Sequence, residues 1–185
     1  ANIGNVGLEF IQIGNYGDGI QMRDKDGKTS KLWSTTAFGQ GIVKIELVYS
    51  STKDVQYANA NAVIFSFGNG VDSYSYTTKL STTAGVKEYT ITPDAETYTF
   101  LHIEHDLGYT MYWDSIKVYY KDGASTPDVP THEHQVCPEC GKCLDPECEG
   151  EKCQGHSVNP DVPAEEKVVE LTVESLGLAS NTYAA

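Results

Sequence analysis

Ile42-Val43-Lys44-Ile45-Glu46-Leu47-Val48-Tyr49 and Ala62-Val63-Ile64-Phe65-Ser66-Phe67 decide how this chain is read. Their side chains alternate with a period of two, the spacing of an extended strand with one face on a core. The pattern recurs outward in both directions. N-terminally it appears in Val6–Ile13, in Gly19–Arg23 and in the short run Lys31–Ser34. C-terminally it appears in Ser73–Thr77, Lys87–Ile91, Thr97–Ile103 and Thr110–Trp113, which continues into Ile116–Tyr120. Asp24-Lys25-Asp26-Gly27 carries a hairpin-turn signal between two of these runs. No helical stripe is present. Regularly spaced short strands predict an all-β, jelly-roll-like β-sandwich over residues 1–122.

The charge is uneven. The 185 residues hold 13 bases and 26 acids, a net charge of −13. Residues 1–122 carry −4, residues 123–166 carry −8 and the rest −1. A polyanion of this kind lacks the Lys/Arg clusters that nucleic acid and anionic lipid require, so neither is expected as a partner. No apolar run is long enough to span a bilayer, and membrane insertion is not expected. The first residue is Ala1, which suggests a processed or excised chain.

The composition changes near residue 122. Residues 123–136 read as a Pro- and Thr-containing linker, 137–156 as a Cys-rich module and 157–166 as a second linker with Asn159-Pro160 and Val162-Pro163. Residues 167–185 then return to a strand pattern. Val168, Glu170 and Thr172 point one way, and Val169, Leu171 and Val173 the other. A lone half-buried strand after a long linker needs a sheet edge to pair with. The sequence therefore predicts a donor-type strand that completes a neighbouring repeat or subunit and joins copies head to tail.

Phe10-Ile11-Gln12-Ile13-Gly14-Asn15-Tyr16-Gly17-Asp18-Gly19-Ile20-Gln21-Met22-Arg23, Thr90-Ile91-Thr92-Pro93-Asp94 and Tyr112-Trp113-Asp114-Ser115-Ile116-Lys117 carry a resemblance. They resemble a repeat module of large secreted or wall-attached surface proteins of Gram-positive, gut-type bacteria, in which a Cys-rich spacer also occurs. The resemblance implies an extracellular, cell-surface setting and a structural role. In such modules a segment like Leu171-Thr172-Val173-Glu174-Ser175-Leu176-Gly177-Leu178 precedes the Phe10-like strand. Its place at the far end here implies a repeat cut out of phase. The resemblance carries no enzymatic activity.

Cys137, Cys140, Cys143, Cys148, Cys153 and His156 form the strongest chemical motif, C-x2-C-x2-C-x4-C-x4-C-x2-H. Cys137-Pro138-Glu139-Cys140-Gly141 resembles a zinc knuckle, and Cys153-Gln154-Gly155-His156 offers a second pair. Together they supply three thiolates and an imidazole, a tetrahedral Zn2+ set, with Cys143 and Cys148 as further ligands. The module has almost no apolar residues and needs a metal or cross-links to fold. Disulfides with one thiol left over, an iron–sulfur site and a disordered spacer stand as alternatives. His132-Glu133-His134 adjoins the motif as a solvated linker or as extra ligands.

Asp24-Lys25-Asp26-Gly27 and Asn15-Tyr16-Gly17-Asp18-Gly19 are turns first and candidate Ca2+ loops of a sandwich rim second. His102-Ile103-Glu104-His105-Asp106 reads as an edge strand entering a turn, with His102, Glu104 and Asp106 on one face and His105 on the other. No nucleophile or acid–base constellation stands at usable spacing, so no enzyme is expected. Trp33, Tyr74, Tyr76, Tyr112, Trp113, Tyr119 and Tyr120 offer a sugar-stacking platform, which makes an adhesin module for glycan or host protein the alternative to a structural repeat.

Overall fold

The computed structural model describes residues 1–25, 27–55, 63–106, 110–122 and 165–183. The Cys module, the first linker, residues 157–164 of the second and the ligand candidates Cys137, Cys140, Cys143, Cys148, Cys153 and His156 lie outside the described residues, and the strand that follows begins within the expected linker, at Glu166. The chain divides into two compact units, Ala1–Asp122 with Glu166–Ala185, and Gly123–Glu165. The first unit is all-β.

Its strands are β1 (Asn2–Ile3), β2 (Val6–Ile11), β3 (Gly14–Asn15), β4 (Ile20–Met22), β5 (Asp24–Lys25), β6 (Lys28–Thr29), β7 (Lys31–Ser34) and β8 (Gly41–Tyr49). They continue with β9 (Val63–Gly70), β10 (Ser73–Leu80), β11 (Glu88–Ile91), β12 (Phe100–His105), β13 (Met111–Lys121), β14 (Glu166–Leu171) and β15 (Thr182–Tyr183). Two antiparallel sheets form a sandwich. The first runs β1-β2-β7-β12-β9-β10, and the second β11-β8-β13-β4-β3-β15, with β14 also on β13. β5 and β6 close the expected hairpin at Asp24–Gly27.

The alternation read from sequence becomes the core. Ile45 and Leu47 on β8, Phe65 and Phe67 on β9, Leu101 and Ile103 on β12, and Trp113 and Val118 on β13 are all buried between the sheets. Large side chains buried this fully contribute about 1.5–3 kcal/mol each. Among the described residues no helix is long and apolar enough to cross a membrane.

Two expectations are corrected. His102–His105 of the expected edge strand belong to a central strand, because β12 pairs with both β7 and β9. The tail, given as 167–185 and expected to serve a neighbour, pairs within its own chain through β14 and β15. β14 lies antiparallel to β13 from Ile116↔Leu171 to Lys121↔Glu166. The physical reason is the length of β13. Its first residues, Met111–Trp113, pair with β4, and β14 takes up the remainder. The unpaired remainder of that edge is the acceptor the tail needed. The facing was read correctly: Val169 and Leu171 are buried and Val168 is 51% exposed.

After β14 the chain makes one turn. The Thr172 N–H donates to Ser175 Oγ (2.8 Å) and the Ser175 N–H donates to Thr172 Oγ1 (3.1 Å), a reciprocal cap. Leu176 packs into the core. Asn15 then anchors the stretch from Leu178 to Asn181: its Nδ2 donates to the Leu178 carbonyl (3.1 Å), and its own carbonyl accepts from the Asn181 N–H (2.6 Å). β15 docks on β3 as Thr182↔Asn15 and Tyr183↔Gly14.

Candidate functional site

The outward face of the second sheet gathers groups from three distant parts of the chain. Across the ladders, Tyr112 faces Gln21, Gln21 faces Gly14 and Gly14 faces Tyr183, so all four lie in one row. Ile20 and Trp113, in the adjacent row, are buried in the core, which puts the Gln21 row outward. Arg23 comes two residues after Gln21 and shares its face. Gly19 allows β4 to come this close: its φ is +95°, and a Cβ there would stand 2.3 Å from the Trp113 carbonyl oxygen.

Tyr183 lies flat across Gly14. A Cβ at Gly14 would meet the ring at 2.7–2.9 Å, so only glycine leaves room. On this ring rests the Arg23 guanidinium, 3.7 Å from the centroid. The Tyr183 hydroxyl donates to Gln21 Oε1. Burial pushes the Tyr183 phenol up to about 12, so it remains a donor throughout the neutral range. Tyr16 stands beside Tyr183 at 5.2 Å between centroids and is 43% exposed. Tyr16, Gln21, Arg23 and Tyr183 line an open hollow of about 320 Å³.

Arg23 is the only arginine in the chain. Among the described residues every ion pair uses a lysine, as in Lys53–Asp18 (3.2 Å) and Lys31–Glu104 (3.4 Å), and none joins Arg23 to a carboxylate. A second hollow, of about 410 Å³ beside the β5–β6 hairpin, is lined by Ile11, Gln12, Gly27, Lys28, Thr29 and Lys31 and has no aromatic wall.

The residues singled out in sequence are dispersed. Trp113 and Tyr120 are buried. Tyr119 donates to Glu46 Oε2 (2.8 Å), and Tyr112 flanks the hollow at Gln21. Trp33 and Tyr74 stand with His102 on the outer face of the first sheet, His102 lying 6.5 Å from Trp33 and 5.5 Å from Tyr74 between ring centroids. A bulge separates Tyr74 from Tyr76. Tyr74 faces Gly68 on the outer side, whereas Tyr76 faces Phe67 and packs toward the core. His105 is buried in the core, and its desolvation pushes the imidazole down to about 4. His102 and Glu104 share the outer face, as expected.

The candidate Ca2+ loop at Asn15–Gly19 uses its acid otherwise. Asp18 Oδ1 accepts from Thr52 Oγ1 (2.8 Å), and Oδ2 pairs with Lys53. Among the described residues no group of three His, Cys, Asp or Glu is placed to hold a metal ion.

Sequence reading missed Tyr16, Gln21, Arg23 and Tyr183 as a group. The available signal was the solitary arginine; Tyr183 lies far away in a tail assigned elsewhere.

No protein family matches the chain, and no curated protein matches it. Three solved structures show similarity. A mutant of the lectin binding domain of lectinolysin complexed with Lewis b is 9% identical, with TM-score 0.39, over 50% of this chain and 66% of that one. The lectin domain of lectinolysin complexed with Lewis B antigen is 8% identical, with TM-score 0.42, over 55% and 71%. A Streptococcus pneumoniae fucose binding module is 6% identical, with TM-score 0.40, over 57% and 84%. Likeness at this level transfers neither residues nor ligand. The matched region spans just under two thirds of the first structure.

Proposed function

We propose that this chain is a non-catalytic glycan-binding module of an extracellular surface protein, and that it binds sugar in the Tyr16–Gln21–Arg23–Tyr183 hollow. One observation carries the reading. A guanidinium stacked on a ring, with no acid partner among the described residues, lies beside an exposed tyrosine in an open concavity, which combines a stacking wall with directional polar groups. The separation of the titratable groups supports a binding role: His105 is in the core and Glu104 is paired with Lys31. The tail supplies Tyr183 to this site, and its pairing with β13 removes the unpartnered strand on which head-to-tail joining of copies rested. The Cys module enters the proposal as a zinc-stabilised spacer, with Cys137, Cys140, Cys153 and His156 as ligands.

The test is a glycan array with the full chain and with Tyr16→Ala. Retention of a defined glycan set by the native chain, reduced about tenfold or more in Tyr16→Ala, is expected. An array without signal in both overturns the reading.

A further inference from the structure

Resting on the glycan-binding reading, we infer that the hollow selects sugars bearing a carboxylate, through a bidentate contact with Arg23. Three observations lead there.

The first is the layering. Gly14, the Tyr183 ring and the Arg23 guanidinium are stacked, so the ring fixes the plane of the fork before any ligand arrives. One face of the guanidinium is taken by the ring, which leaves its N–H edge available. A planar fork matches the two oxygens of a carboxylate, and an orientation fixed in advance lowers the entropy lost on binding.

The second is the sign of the polar groups. Gln21 Oε1 already accepts from Tyr183, so what the amide has left to offer is chiefly its NH2 donors. The Tyr183 proton is committed to Gln21. What Gln21 and Arg23 present is therefore donors. A neutral sugar hydroxyl needs donors and acceptors alike, whereas a carboxylate only accepts.

The third is the missing partner. Acids outnumber bases by 26 to 13, and seven lysines pair with described acids, yet the one arginine pairs with no described acid. A guanidinium left open in so acidic a chain has a place for an outside carboxylate. The net negative charge of the chain disfavours polyanions, so the ligand is a sugar with a single acid group and not a highly charged chain.

The experiment titrates the full chain with two matched pairs, methyl glucuronide against methyl glucoside, and sialyllactose against lactose. The first pair differs only in the acid at C6; the second differs by a whole acidic residue, and Arg23→Gln separates the acid from the rest of that residue. The acidic member of at least one pair is expected to bind ten- to a hundredfold more tightly, the range of a charge-assisted bidentate contact. Arg23→Gln is expected to bring the acidic member down to its neutral partner. Tyr16→Ala is expected to weaken both members together, and the circular dichroism of both variants is expected to match the native chain. Equal binding within both pairs, or acid preference surviving in a folded Arg23→Gln, overturns the carboxylate inference and leaves the glycan reading standing. Binding of neither pair, with a blank array, overturns both. Should Arg23→Gln misfold, Gln21→Glu is the second variant. It puts an acid beside the fork and is expected to abolish acid preference, and preference retained there overturns the inference.

Discussion

The two sheets each show an aromatic surface to solvent, and the surfaces differ in what accompanies the rings. On the first sheet Trp33, His102 and Tyr74 lie together, with Glu9 opposite Trp33 on the neighbouring strand and Lys31 paired to Glu104. On the second sheet Tyr16 and Tyr183 frame a guanidinium that no described carboxylate answers, and the surface is hollowed. Rings alone give area and little direction. An unanswered polar group of fixed orientation gives direction, and this makes the second surface a site.

The largest effect expected on this contrast comes from the tail. Leu171 is 0% exposed, and Leu171→Ala removes buried contacts at a cost of about 2–5 kcal/mol. Denaturant unfolding is expected to show that loss, with Val168→Ala within about 0.5 kcal/mol of native. Glycan binding is expected to weaken as well, because Tyr183 depends on the docked tail. An unchanged midpoint for Leu171→Ala would show that β14 contributes nothing to the first unit.

Acid comes next. His105 lies on the core side of the first sheet, and burial holds its pKa near 4 against an ordinary 6.5. The unfolded chain then binds more protons than the folded one between those values. Stability is full above about pH 6.5 and falls as pH drops toward 4, by up to about 3 kcal/mol at 1.36 kcal/mol per unit. Burial moves His102 in the same direction. Urea midpoints measured across this window are expected to show the slope, and His105→Leu to flatten most of it. A native-like slope in a folded His105→Leu would place the acid sensitivity elsewhere.

Gly14→Ala puts a methyl into the Tyr183 ring, an overpacking that costs about 1–3 kcal/mol, and is expected to tip the ring off Gln21. The readout is glycan affinity, which should fall, while Trp33→Ala on the other surface should leave it unchanged. A Trp33→Ala chain that no longer binds would move the site to the first sheet. The smallest effect is that of Glu104→Gln, which breaks the half-exposed pair with Lys31. About 0.2–1 kcal/mol is expected, vanishing in high salt, as followed by thermal unfolding.

The period of two in Ile42–Tyr49 and Ala62–Phe67 made the sandwich legible, because half-buried strands record their facing directly in sequence. The same rule placed Val169 and Leu171 inward and separated His105 from His102. It could not say which edge the tail would find, because pairing between β13 and β14 is non-local and the open edge exists only once β4 has proved shorter than β13. Nor could it foresee the bulge that turns Tyr74 and Tyr76 to opposite sides, since alternation alone puts residues two apart on one face. Arg23 looked like the end of a strand. Its importance arises from a ring contributed by Tyr183, and no spacing rule connects residues so far apart.

The register Lys121↔Glu166 has a consequence for modularity. The chain leaves the first unit at one rung of a ladder and returns at the partner position of the same rung. Those two residues face each other as the ends of a tight hairpin would. To the sheet, Gly123–Glu165 is a connection between adjoining points, and doubling such a connection costs only about 0.6 kcal/mol. The rung between Lys121 and Glu166 is thus a socket. It accepts inserts of very different length, or a short turn in their place, without moving the strand that carries Leu171 or the ring that supports Arg23.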